Sequence, residues 1–194
     1  LFIIGTVIIL AFTWLWTEGF GISPRYEYGD TIEKSLNFWY QRGSSSVGLS
    51  KVISIVDVKK NEKLVFYETN KSTVMVGLVK SKWNKKWVVI GEGGEIPLNY
   101  SDIQQYSNSK DKPSLHWQWH NLNDFGITFG VVYDENIDTI TIGDKDAILL
   151  NKQSDRYIFY LTDKTVSKSS DLKQICDIKA YDKNHKLIYS YYPQ

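Results

Sequence analysis

The sequence predicts a mainly β protein with one N-terminal membrane helix, a small α+β subdomain (a helix plus an antiparallel meander) and then a β-sandwich. Three observations carry that expectation. The first stretch, LFIIGTVIILAFTWLWT from Leu1 to Thr17, holds no charged side chain, and Glu18 ends it. From Leu49 onward the apolar period changes to two, the spacing at which successive strand side chains point to opposite faces. The second half breaks into short Val-, Ile- and Tyr-rich runs separated by polar turns, the pattern of a sandwich.

An α-helix rises about 1.5 Å per residue and a hydrocarbon core is ~30 Å thick, so a full span takes roughly 20 apolar residues. Leu1–Thr17 approaches that length, and Phe20, Gly21 and Ile22 extend it, giving a signal-anchor helix over residues 1–22. Trp14 and Trp16 stand where an interfacial aromatic belt is expected. A cleaved signal peptide is a competing reading, but WLWTEGFG offers no A-x-A pattern. A buried core helix is the third, and the lack of any polar face argues against it. The acidic residue after the span favours a single-pass protein of the cell membrane with its C-terminal body extracytoplasmic.

The rest of the chain suffices for one domain or two small ones. Its net charge of +1 gives no global field for nucleic acid. A single cysteine, Cys176, excludes an intrachain disulfide, a multi-cysteine zinc site and a redox pair. A disulfide-free exported body suits a bacterial surface.

Gly19–Gly29 reads as a linker. Asp30 reads as an N-cap, with Glu33 completing a capping box, and Ile32, Leu36, Trp39 and Tyr40 then fall at helical spacing, so a helix is expected over 31–42. GSSSVG ends it. Val52–Lys59, Leu64–Glu68, Thr73–Val79 and Trp87–Ile90 read as an antiparallel meander, separated by turns such as KKNEK, TNKS and KWNKK. These elements make a subdomain over 24–105. GEGGEIPLNY and the polar run Ser101–Pro113 read as the boundary. Seven short strands follow in a sandwich over 113–194: Leu115–His120, Ile127–Tyr133, Thr139–Ile142, Ala147–Leu150, Tyr157–Leu161, Ile175–Tyr181 and Leu187–Tyr191.

The stretches LVFYETN, MVGLVKSKWNKKWVVIGEGGEI, ITFGVVYDENIDTITI and IKAYDKNHKLIY resemble a group of uncharacterised Gram-positive proteins that carry one N-terminal membrane helix and an exported β-rich body. The resemblance covers most of the chain and implies the compartment. Its motifs are strands and turns, so it implies no activity.

The residues that can carry chemistry are few. In HWQWH, a strand puts His116, Gln118 and His120 on one face and Trp117 and Trp119 on the other, with the two histidines about 13 Å apart, too far for one metal. The expected arrangement is two partly exposed polar residues opposite a buried aromatic pair. Aromatic faces also stack on sugar rings, which makes Trp117 and Trp119 ligand-binding candidates. The sharper candidate is the turn SKWNKKW, where Lys80, Lys82, Lys85 and Lys86 surround Trp83 and precede Trp87. Such a basic–aromatic hairpin tip suits an anionic polymer or a lipid headgroup, although lysines also commonly solvate hairpin tips. Asp134, Glu135, Asp138, Asp144 and Asp146 lack the ligand periodicity of a calcium loop. GEGGE is too short for a phosphate loop, and Cys176 reads as a buried, inert thiol.

No catalytic residue, metal or cofactor is assigned. The leading expectation is a non-catalytic binding or interaction module at the cell envelope. Its ligand contacts would be Lys82, Trp83, Lys85, Lys86, Trp87, Trp117 and Trp119. Its partners would be membrane lipid through the N-terminal helix, and a cell-wall polymer or an envelope protein. The alternatives are a wall-directed hydrolase and a structural spacer subunit of an envelope complex.

Overall fold

The computed structural model describes residues 28–42, 46–82, 85–99, 114–123, 125–152, 156–163 and 177–192. Within them the protein is mainly β, with a single short helix and three antiparallel sheets. The expected anchor at 1–22, most of the linker, the run Ser101–Pro113, Trp83 and Cys176 lie outside the described residues. Among the described residues no helix is long and apolar enough to cross a membrane.

The elements are α1 (Ile32–Arg42), β1 (Leu49–Lys59), β2 (Glu62–Thr69), β3 (Thr73–Ser81), β4 (Trp87–Pro97), β5 (Leu115–Leu122), β6 (Phe125–Val132), β7 (Thr139–Ile142), β8 (Lys145–Asp146), β9 (Ile148–Leu150), β10 (Tyr157–Asp163), β11 (Ile178–Tyr181) and β12 (Leu187–Tyr191). The sheets run β1-β2-β3-β4, β5-β6-β10-β9 and β12-β11-β7-β8. The chain divides into two compact units, Leu1–Lys71 with Gly77–Glu92, and Ser72–Val76 with Gly93–Gln194, so β3 and β4 contribute residues to each.

In the first unit, α1 forms where expected but is capped one residue later. Thr31 Oγ1 accepts the Lys34 N–H at 3.2 Å, so Thr31 is the N-cap. Asp30 is an ion-pair partner of Lys34 at 3.4 Å instead. Position N3 is therefore Lys34, not Glu33, and there is no capping box. Ile32, Leu36 and Tyr40 recur every fourth residue and bury one face of the helix. The helix packs over Gly77 on β3, where a Cβ would meet Leu36 Cδ2 and Tyr67 Cε1 at 3.4 Å, an ordinary contact distance.

The meander forms as read, with longer strands. Leu64, Val65, Phe66 and Tyr67 on β2 are all fully buried, so this interior strand is covered on both faces and loses its alternation. The edge strand β1 is its opposite. None of its residues is buried, although Val52, Ile53, Ile55, Val56 and Val58 are apolar. Register shifts between Leu49 and Lys51, Val52 and Ser54, and Asp57 and Lys59 kink it. Such irregularities discourage a foreign strand from pairing at an exposed edge.

In the second unit, the expected end of β4 at Ile90 is corrected. The strand continues through GEGGEIP to Pro97. The glycines that read as a turn signal serve close packing. A Cβ on Gly93 would lie 2.5 Å from His120 Cγ, and the Phe129 ring occupies the space over Gly94, whose φ is +82°. The expected turn GDKD also holds a short strand, β8, which pairs Lys145 with Ile142 around Gly143 at φ +60°. Both of the later sheets feed one core. Leu115, Val132, Tyr157 and Phe159 from β5, β6 and β10 meet Ile140, Ile142, Ile178 and Ala180 from β7 and β11.

Candidate functional site

The meander topology decides where the basic residues gather. In a four-stranded meander the first and third turns fall at the same end of the sheet, so the β1–β2 turn and the β3–β4 turn meet. Ser81 N–H donates to Asn61 O at 2.8 Å and ties them together. The first turn brings Lys59, Lys60 and Lys63; the second brings Lys80, Lys82, Lys85 and Lys86. The second turn is closed by Lys82 N–H to Lys86 O at 2.9 Å and Lys85 N–H to Lys82 O at 2.8 Å, with Lys85 at φ +61°. In a chain whose net charge is +1, this is a strongly basic end.

Its anchor is Glu62, which is 6% exposed. Lys80 Nζ lies 3.1 Å from one carboxylate oxygen. Lys59 Nζ lies 3.2 Å from the other, which is close enough for an ion pair but off the line of a well-formed hydrogen bond. Burial pushes the Glu62 carboxyl up, but the Lys80 hydrogen bond and the charges of both lysines outweigh it and hold the group below its ordinary value. Two further carboxylates of this unit are engaged too: Asp57 with Lys63 at 2.7 Å and Asp30 with Lys34 at 3.4 Å. Lys60 and Lys85 add positive charge beyond these pairs.

Trp87 opens β4 immediately after the second turn, half-buried, with Lys63 Nζ 5.8 Å from its ring centroid. Lys82, Lys85, Lys86 and Trp87 therefore come together as expected, and Trp83 lies outside the described residues. The lysines of the first turn join this end as well, beyond those the spacing around Trp83 indicates. The signal for them was present: KKNEK and KWNKK are the first and third turns of one meander.

Trp117 and Trp119 belong to the other unit. Trp117 packs against the shared core and meets Tyr191 edge-on at 5.1 Å. Trp119 lies over Gly126, where a Cβ would sit 2.9 Å from the indole nitrogen. That nitrogen is buried without a hydrogen-bond partner, as is Oγ1 of Thr128 directly across the ladder. On the opposite face of β5, His120 Nε2 lies 2.9 Å from Gln118 Oε1, and the His120 ring packs on Phe129 at 6.0 Å. His116 and His120 are both half-buried, and burial lowers both imidazoles below their ordinary value. Among the described residues, no three His, Cys, Asp or Glu side chains converge as a metal site.

No family model, curated protein or solved structure matches this chain. The functional reading rests on the chain's own residues.

Two further polar groupings bear on catalysis. Glu92 Oε1 accepts from the Tyr40 hydroxyl at 2.5 Å and from the Tyr67 hydroxyl, while Oε2 accepts from Trp39 Nε1 at 2.6 Å. Burial, reinforced by the Glu92 charge, pushes the Tyr67 phenol far above its ordinary value and keeps it a donor. Both carboxylate oxygens are thus engaged in holding α1 to β2 and β4. In the second unit, an open groove of about 770 Å³ is lined by Asp134, Asp138, Lys152, Asp182 and Lys186 among others. Asp134 Oδ1 accepts the Asn136 N–H at 3.0 Å, and Asp182 Oδ1 accepts those of Asn184 and Lys186 at 2.8 Å. Asp138 Oδ1 is held by Lys152 at 2.5 Å. These carboxylates brace turns, and each has an oxygen committed to that work.

Proposed function

We propose that the protein is a membrane-anchored extracytoplasmic interaction module of the cell envelope. Residues 1–22 are its anchor and the two later sheets form a β-sandwich. The basic end of the first sheet is its contact surface for phosphate-bearing envelope material. The observation that carries the reading is the joining of two lysine-bearing turns, tied by Ser81 and Asn61 around the buried Glu62. Leu1–Thr17, without a charge, supports the tether, and the acidic Glu18 that follows it supports the compartment. Flexible ammonium groups on a rigid hairpin end suit a polymer of repeated phosphates, which needs charge density more than a shaped pocket.

The test is thermal unfolding of the full chain in neutral detergent micelles, with and without polyglycerol phosphate, wall fragments or anionic vesicles. A ligand at ~100 times its dissociation constant stabilises by about 2.7 kcal/mol, a shift of several degrees. A rise that the Lys60→Glu/Lys85→Glu double variant abolishes supports the reading. If no anionic material moves the midpoint, the basic end is not a contact surface.

A further inference from the structure

The chain enters the first unit beside its basic end. Gly29 pairs with Trp87 through two backbone bonds, Gly29 N–H to Trp87 O at 2.9 Å and Trp87 N–H to Gly29 O at 2.8 Å. Trp87 directly follows the Lys82–Lys86 turn. The opposite end of β3 lies roughly 30 Å away, at ~3.3 Å per residue. Only residues 18–28 separate the apolar stretch from this entry, and fully extended they reach no more than about 40 Å.

We infer that the occupant of the basic end is the anionic lipid surface of the very membrane that holds the chain's own anchor. The inference rests on the proposed anchor and names the partner of the same site. A tether leaving from the lysine-bearing end turns that end toward the bilayer and holds the other end away. The charge suits it: Lys60 and Lys85 stand on the two turns while Asp30, Asp57 and Glu62 are already engaged by Lys34, Lys63, Lys59 and Lys80, and the chain as a whole is close to neutral. Attraction to a charged surface fades within about 8 Å at physiological salt. Lysines at the tethered end gain from it, and lysines a strand length away do not.

The full chain is reconstituted into zwitterionic nanodiscs and into discs containing anionic phosphatidylglycerol, then acylated with an amine-reactive reagent and read by mass spectrometry. Lys60 and Lys85 should lose at least about threefold in labelling in the anionic discs, measured against Lys71, exposed in the β2–β3 turn at the other end of the same sheet, and high salt should restore it. Lys60→Glu should weaken the protection of Lys85. Equal labelling in both discs overturns the inference. So does protection that arises only when polyglycerol phosphate is added to zwitterionic discs, which would assign the end to a wall polymer. An alkaline carbonate wash separates the two failures. A chain stripped from zwitterionic vesicles has no anchor, and the tether and the docking fall together. A chain that resists the wash while labelling stays equal keeps its tether and loses only the docking.

Discussion

Ser81 gives its backbone N–H to the carbonyl of Asn61 at 2.8 Å, and through that bond the turn closing one hairpin rests on the turn closing the next. Seven lysines on two turns would repel one another. The buried Glu62 between Lys59 and Lys80 sets against that repulsion a carboxylate already removed from water. The basic end is therefore a braced element, and its brace can be cut without touching its outer charges.

Glu62→Gln should destabilise the protein by about 1–3 kcal/mol at neutral pH, the lower end reflecting lysines that remain half exposed. Because the folded carboxyl is held below its ordinary value of 4.5, its contribution is present above that pH and is lost as pH falls through the folded value. Urea midpoints of the native protein should decline below about pH 4.5, with a shallower decline in Glu62→Gln. Parallel profiles would show that the pair does not hold the turns.

Gly94→Ala adds a side chain at φ +82° into the space of the Phe129 ring. Backbone strain and overpacking act together, and a loss of about 2 kcal/mol or more is expected. Phe129→Leu in the same chain should recover the steric part and leave the backbone part. A neutral Gly94→Ala would mean that β4 does not pack as described.

Thr128→Val removes a hydroxyl buried at 1% exposure and lacking a partner, while keeping the shape. Replacing an unsatisfied group by an apolar isostere should be neutral or stabilising by up to about 1 kcal/mol. A clear destabilisation in thermal unfolding would reveal a bound water bridging Thr128 to the Trp119 indole.

His116 and His120 titrate below the ordinary value of 6.5 when folded, so the unfolded chain takes protons first as the solution is acidified. Their contribution is complete above that value and declines as pH falls from about 6.5 through the folded values. A chain carrying His116→Gln and His120→Gln should show a flatter midpoint between pH 7 and 5, even if its midpoint is lower throughout. An unchanged slope would place both rings in water.

The helix, the meander and most later strands could be read from spacing alone, because amphipathic repeats and polar turns are local. What escaped is what depends on a distant partner. Gly91–Pro97 looks like a loop until His120 and Phe129, far along the chain, occupy the room its glycines leave. Thr31 and Asp30 are equally good caps by composition, and only the backbone path selects Thr31. The neighbours of Trp117 and Trp119, Tyr191 and Gly126, likewise come from other strands, and no local spacing names them. The SKWNKKW tip was visible as a basic patch, but its doubling by KKNEK requires knowing that alternate turns of a meander share one end.

Gly29 also has a mechanical consequence. Tension entering from the N-terminal side reaches the first unit there, and two hydrogen bonds to Trp87 take it first. A side chain could not be added at this point, since a Cβ would fall 2.7 Å from Thr31 O and 2.8 Å from Lys34 C. Behind the pair lies α1, held by Leu36 and Tyr40, so a pull that breaks the two bonds to β4 passes next to the helix. On this path α1 peels before β1, which follows it in the chain, takes up any load.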